Sequence, residues 1–121
     1  MAFPDGWTGY RTIRVTNIGA SVTAYQQVLY LTAADITFAA WRSDGADMRV
    51  TDAAGATITP HWQRDWNPTN NVAEMWIKVD LPTGDSNFRL YYGNASATST
   101  SSYDSVMQKL DASGGTALAL Y

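Results

Sequence analysis

Apolar and polar residues alternate along most of this chain with the two-residue period of β-strands. Between Tyr10 and Thr16, Ile13 and Val15 fall on one face and Thr12, Arg14 and Thr16 on the other, which predicts a half-buried strand. Tyr25 to Leu31 is apolar on both parities, through Val28, Leu29, Tyr30 and Leu31, and predicts a strand covered on both faces. Met48 and Val50 oppose Arg49 and Thr51 in a short strand, and Ile58 to Trp66 forms another, in which Pro60 favours an edge position or a strand start. The clearest pair follows: Met75, Ile77 and Val79 alternate with Trp76 and Lys78, and Phe88, Leu90 and Tyr92 alternate with Arg89 and Tyr91, with a hairpin-like turn between them over Leu81 to Ser86.

Turn formers punctuate these runs at Pro4-Asp5-Gly6, Asn17 to Ser21, Ser43-Asp44-Gly45, Asp52 to Gly55 and Asn67 to Asn71. Ala33 to Trp41 reads either as a short helix or as an irregular crossover, since its alanines favour helix and Ile36 and Thr37 do not. Short strands at this spacing point to a sandwich or barrel, and the expected fold is all-β, an antiparallel β-sandwich of jelly-roll-like form. The sandwich is expected over residues 7–94, extending to about residue 111. A Ser/Thr/Gly-rich linker or peripheral segment is expected over 95–116, and the apolar run 117–121 reads as the start of a following domain.

Composition narrows the function classes. The 121 residues suffice for one domain and its own core. With no cysteine, disulfides, thiolate metal sites and a cysteine nucleophile are excluded. Only 16% of residues are charged and the net charge is -3, which leaves no basic footprint for nucleic acid or an anionic membrane. No run approaches the roughly 18 apolar residues of a membrane helix, so membrane insertion is not expected. The first residues lack the pattern of a secretion signal, which leaves two readings, a signal removed or none present; the second fits a protein assembled inside the cell, such as a virion component. Against this background, five tryptophans and seven tyrosines are the unusual feature.

Four blocks carry a family resemblance: Ser43-Asp44-Gly45-Ala46-Asp47-Met48-Arg49-Val50, then Trp62 and Trp66, then Met75-Trp76-Ile77-Lys78-Val79, then Leu90-Tyr91-Tyr92-Gly93-Asn94. Together with Trp7, Tyr10, Arg11 and Ile13 they resemble the family catalogued as domain of unknown function 2341. Met48 and Val50 depart from it conservatively, standing where bulkier or branched apolar residues are usual. The resemblance implies a module of large secreted or surface proteins, often beside lectin-like domains of the laminin-G or concanavalin type. Ala117 to Tyr121 looks like the opening strand of such a neighbour. The family resemblance implies no activity.

Candidate chemistry rests on the aromatics. Trp62 and Trp66 share parity, so a regular strand holds both on one face, about 13 Å apart at the usual rise, where a sugar chain could stack across them. Trp62 reads equally as core, and for Trp66 core is the favoured reading. Trp41, Trp7 and Tyr10 are either exposed platforms or plugs at an end of the sandwich, and Trp76 is either half exposed or covered by a loop, the second being favoured. Asp44, Asp47 and Asp52 have the oxygen density of a calcium loop without its spacing, and turn stabilisation by their carboxylates is the better reading.

His61, the one histidine, has no nucleophile elbow near it, and Glu74 with Asp65 or Asp80 is the best acid pair the chain offers. Asn94-Ala95-Ser96 is a glycosylation sequon within a turn. No catalytic residue, metal site or cofactor is therefore expected. The expected function is a noncatalytic attachment or carbohydrate-binding module of a modular surface or secreted protein, with Trp41, Trp62 and Trp66 as binding residues. Its partners would be a glycan or cell-surface polysaccharide and an adjacent lectin-like domain. The alternative is a structural or assembly domain of a phage tail, fibre or other surface polymer, working as a homo-oligomer. Either reading places the protein outside the cell, at its surface or in a virion.

Overall fold

Val72–Leu81 is the most regular segment of the chain, with Ala73, Met75, Ile77, Val79 and Leu81 all buried on one parity. Five apolar residues on one face make this strand the natural centre of a sheet. A computed structural model, describing residues 6–107, places it there. Six strands, β1 (Gly9–Asn17), β2 (Val22–Thr32), β3 (Arg49–Asp52), β4 (His61–Asn67), β5 (Val72–Leu81) and β6 (Gly84–Tyr92), form two three-stranded antiparallel sheets. One has the order β1-β6-β3 and the other β2-β5-β4. The chain is therefore an all-β sandwich. Its winding nests β2 and β5 inside β1 and β6 while alternating between sheets, as in a jelly roll, with six strands among the described residues where the full form has roughly eight.

The core lies between the sheets. Ile13, Val15, Val50, Phe88 and Leu90 meet Leu29, Leu31, Met75, Ile77 and Val79. Ile36, Phe38 and Trp41, from the connection between β2 and β3, close one end. That connection is the irregular crossover, with a single 3-10 turn at Phe38–Ala40. Pro60 sits just before β4, which is an edge strand, so both positions expected for it hold.

Two expectations are corrected. Leu81 to Ser86 does not close a hairpin: β5 has both edges taken by β2 and β4, so β6 must cross to the other sheet. Alternation alone cannot separate a hairpin from such an arch, because both bury the same parity. Secondly, β2 is not covered on both faces, since Tyr30 is 68% exposed. Within the segment read as a linker or peripheral segment, residues 97–102 are held against the sandwich: Arg42 Nη1 donates to the Ala97 carbonyl at 2.6 Å, Arg49 Nη2 to that of Thr98 at 2.7 Å, and the Ser102 amide to that of His61 at 2.9 Å. A one-turn helix, α1 (Tyr103–Val106), then packs on β4 and β5, burying Val106. The run at 117–121, read as the start of a further domain, lies outside the described residues.

One buried carboxylate joins these parts. Asp47 accepts the Arg42 amide at 2.9 Å through Oδ1 and those of Gly93 and Asn94 at 3.0 and 3.2 Å through Oδ2. Its own carbonyl takes Trp7 Nε1. Nearby, Gly45 has φ +69°, and a Cβ there would lie 2.5 Å from Gln63 Nε2 and 2.8 Å from the Trp66 ring, so the turn before Asp47 tolerates no side chain.

His61 is the other buried polar group of note, 3% exposed and with Nε2 lacking a hydrogen-bond partner. Burial lowers its pKa to about 4, against the opposing hydrogen bond of Gln63 and with a smaller push in the same direction from Arg49. As pH falls, the unfolded chain takes up this proton first, near its ordinary value of about 6.5. The contribution is therefore complete above about pH 6.5, is lost progressively on the way down to about pH 4, and amounts to about 3 kcal/mol.

Two predictions follow from these buried groups. Urea denaturation across that window should show stability falling with acidity, and a His61→Leu variant should lose most of the slope between about pH 6.5 and pH 5. Asp47→Ala, which strips the acceptor from three amides, should cost about 3 kcal/mol in the same assay, with Asp47→Asn losing less because one carbonyl oxygen remains.

Candidate functional site

The outer face of β2-β5-β4 carries residues that face away from the core. Pairing across the strands sets Val28 beside Trp76 and Trp76 beside Trp62, with Tyr30, Glu74 and Asp65 forming the adjoining row. Trp62 and Trp76 are half-buried, because each shields part of its neighbours while leaving part of its own ring to solvent. The Glu74 carboxylate accepts Trp76 Nε1 at 2.8 Å through Oε2 and Arg64 Nη1 at 3.0 Å through Oε1. This bridge fixes the orientation of the Trp76 indole. Tyr103, at the start of α1, stands edge-on to Trp62 with ring centroids 4.8 Å apart. Along β2 the face continues as an open groove of about 890 Å³, lined by Gln26, Val28, Trp76 and Lys78 together with residues 21–25.

Of the three tryptophans expected to bind, the fold brings only Trp62 to this face. Pairing runs from Gln63 opposite Met75 directly to Asp65 opposite Glu74, so Arg64 is an extra residue, a β-bulge. The bulge shifts parity by one. Trp62 therefore points outward beside Trp76, while Trp66 points inward beside Ala73, correcting the shared face that regular alternation implies. Trp66 packs against the core, its ring 5.1 Å from Phe38 and 6.0 Å from Trp41. Trp41 is 5% exposed and donates Nε1 to the Tyr91 carbonyl at 2.8 Å, so it offers no ring face to a ligand.

Trp76, Tyr30 and Tyr103 join the platform instead. The sequence placed Trp76 on the face opposite Met75 and Ile77, and the ring is indeed there, lining the groove and not sealed by a loop. Tyr103 carried no strand signal, and only the folding of α1 onto β4 and β5 brings it close. Trp7 and Tyr10 lie on the other sheet, where the Arg49 guanidinium sits 5.0 Å from the Trp7 ring and that of Arg89 4.2 Å from the Tyr10 ring.

The acidic candidates act as turn ligands for their own backbone. Asp44 Oδ1 accepts the Ala46 amide at 3.0 Å and Asp52 Oδ1 that of Ala56 at 2.9 Å, which holds the Asp52 carboxyl below its ordinary range. Among the described residues no group of three or more His, Cys, Asp or Glu is placed to hold a metal ion. Asp65 and Glu74 are cross-strand neighbours on the open face, with Glu74 committed to Trp76 and Arg64. Asp80 Oδ1 takes the Ala24 amide at 2.8 Å. Among the described residues no helix is long and apolar enough to cross a membrane.

No curated protein and no solved structure matches this chain. The family model described as "Domain of unknown function (DUF2341)" matches residues 44–120. The match starts in the turn that leads to Asp47 and covers β3 to β6, the strap at 97–102 and α1. The opening segment with Trp7 and Tyr10 precedes it, yet β1 pairs with β6 along its whole length, so the two form one sandwich. Nearly two-thirds of the sequence falls within the match, and the chain belongs to the DUF2341 family.

Proposed function

We propose that this domain is a noncatalytic carbohydrate-binding or attachment module, with its binding face on the outer side of β2-β5-β4. The observation that carries this reading is the cross-strand pair of Trp62 and Trp76, whose rings are partly open to solvent on a sheet face and, at Trp76, oriented by Glu74. Tryptophan rings suit the apolar faces of pyranose sugars, because they offer large contact area with only two torsions to order. Tyr30 and Tyr103 flank the pair, and Gln26, Lys78, Arg64 and Asp65 supply polar groups able to reach sugar hydroxyls. The noncatalytic part of the reading rests on the engagement of Glu74 and the exposure of Asp65, which deny the desolvated acid that glycoside cleavage needs. A surface, secreted or virion setting accords with such a module.

A second reading, an assembly domain in a surface polymer, is favoured by one observation, the uncharged edge of β2, which no segment among the described residues covers.

Affinity electrophoresis or pull-down against a panel of soluble and insoluble polysaccharides tests the first reading. Trp62→Ala and Trp76→Ala should each weaken binding at least about tenfold, or about 1.4 kcal/mol. Trp66→Ala, which opens the core, should instead cost about 3 kcal/mol of stability. Binding to none of the panel, with Trp62→Ala destabilising as strongly as Trp66→Ala, would assign the platform to packing.

A further inference from the structure

A sandwich has four sheet edges, and here three are managed in recognisable ways. Along β3 the chain returns: the Thr59 amide donates to the Val50 carbonyl at 2.8 Å, the Asp52 amide to that of Thr57 at 3.1 Å, and Thr51 bridges Ile58. Along β4 lies the 97–102 strap, with Ser102 bonded to His61 and the Gln63 amide donating to Ser101 Oγ at 2.7 Å. β1 carries exposed Arg11 and Arg14, the charged edge that resists another strand. β2 carries no charge, and among the described residues no segment covers its edge between Gln26 and Tyr30. From Val22 to Thr32 it contains no Lys, Arg, Asp, Glu or Pro. Its bulge, between Val22 and Tyr25, blunts only the first turn of the ribbon, and pairing with β5 is regular from Tyr25 to Thr32.

The direction of its free groups can be read from one end. The Thr32 amide donates to Asp35 Oδ2 at 2.9 Å, and its carbonyl accepts the amides of Asp35 and Ile36, so both point away from β5. Alternation then puts the backbone N–H and C=O of Gln26, Val28 and Tyr30 on the same outer side. Among the described residues the contact made there is that of Gln27 Nε2, which donates to the Val28 carbonyl at 2.8 Å and leaves that oxygen a second lone pair. The edge also borders the gap between the sheets, an opening of about 560 Å³ lined by the half-buried Ile13 and Val15 and, at its rim, by Arg11, Arg14 and Asp35.

We propose that two copies of this domain pair antiparallel through β2, joining their β2-β5-β4 sheets into one continuous sheet. Centring the twofold on Val28 sets the two Val28 residues opposite each other and Gln26 of one copy opposite Tyr30 of the other. All three outward-facing residues then exchange backbone bonds with the facing strand. An uncharged strand meets itself without like-charge repulsion, which is why a second copy suits it. Tyr30, an aromatic ring 68% exposed, gains a neighbour. The two tryptophan platforms would share one plane, but the pairing does not depend on the carbohydrate reading.

Sedimentation equilibrium of the whole chain, from micromolar to millimolar concentration, should show the mass rising to twice that of one chain. Tyr30→Lys, at an exposed position, should leave the thermal midpoint of the dilute monomer unchanged and weaken association roughly tenfold, since the substitution enters twice. The absence of cysteine makes Val28→Cys a clean register probe: facing strands set Cα atoms about 5.5 Å apart, so a short bifunctional thiol reagent should link the copies. A monomer at all concentrations would overturn the proposal, and slow amide exchange at Gln26, Val28 and Tyr30 in that monomer would show the edge covered within its own chain. A dimer indifferent to Tyr30→Lys and unlinked by Val28→Cys would overturn it too. Mass and cross-linking are read without polysaccharide, so failure here is distinct from failure of the binding reading.

Discussion

The Asp47 carboxylate holds together parts of the chain that lie far apart in sequence. It accepts amides from Arg42 and from Gly93 and Asn94, and so ties the crossover after β2 to the end of β6. Buried carboxylates persist only when such bonds replace water. Here the bonds also set the positions of Trp41, whose indole reaches the Tyr91 carbonyl, and of Arg42 and Arg49, which grip the strap at Ala97 and Thr98. Trp7 joins the same knot through the Asp47 carbonyl, linking the start of the chain to it. The family match begins at the turn that presents this aspartate, and Gly45 in that turn has no room for a side chain.

A single inserted residue governs the character of the candidate face. Without the bulge at Arg64, Trp62 and Trp66 would lie on one side of β4, either both in the core or both in solvent. With it, Trp66 completes the aromatic cluster of Phe38, Trp41 and Tyr92 inside the sandwich, while Trp62 stands beside Trp76 outside. The bulged residue is also put to use, since Arg64 reaches across to Glu74, which holds the Trp76 indole. Bulges of this kind commonly re-aim side chains near functional surfaces.

Edge control gives the sandwich its asymmetry. β3 and β4 are sealed by the chain doubling back, and the short strap that seals β4 also delivers Tyr103 and Val106 to the outer face. β1 and β2 share the opposite side, one charged and the other not. The same β2 whose two-sided apolar pattern predicted cover on both faces is the strand that the described residues leave open, so the pattern and the structure disagree at the place where a further strand would fit.

Much of the fold was legible because strand alternation is a local signal. Ile13 and Val15, Met75 to Val79 and Phe88 to Tyr92 each announced which parity faces the core, and the burial of Met48, Val50, Met75, Ile77 and Leu90 follows that reading. The DUF2341 blocks were likewise recognisable as strings of residues. The binding face was only partly legible. Trp62 and the outward parity of Trp76 could be found, but the inward turn of Trp66 depended on a bulge that exists only relative to β5, and Tyr103 reached the site through a helix docked on another strand.

The sequence by itself thus determined the strand class, the core parity and the family, all of which depend on residues close together along the chain. The tertiary structure alone decided that β5 and β6 part into different sheets, which tryptophans meet solvent and which edge stays open. Those outcomes depend on which strands already occupy a neighbour's edges, a condition that no local pattern of residues encodes.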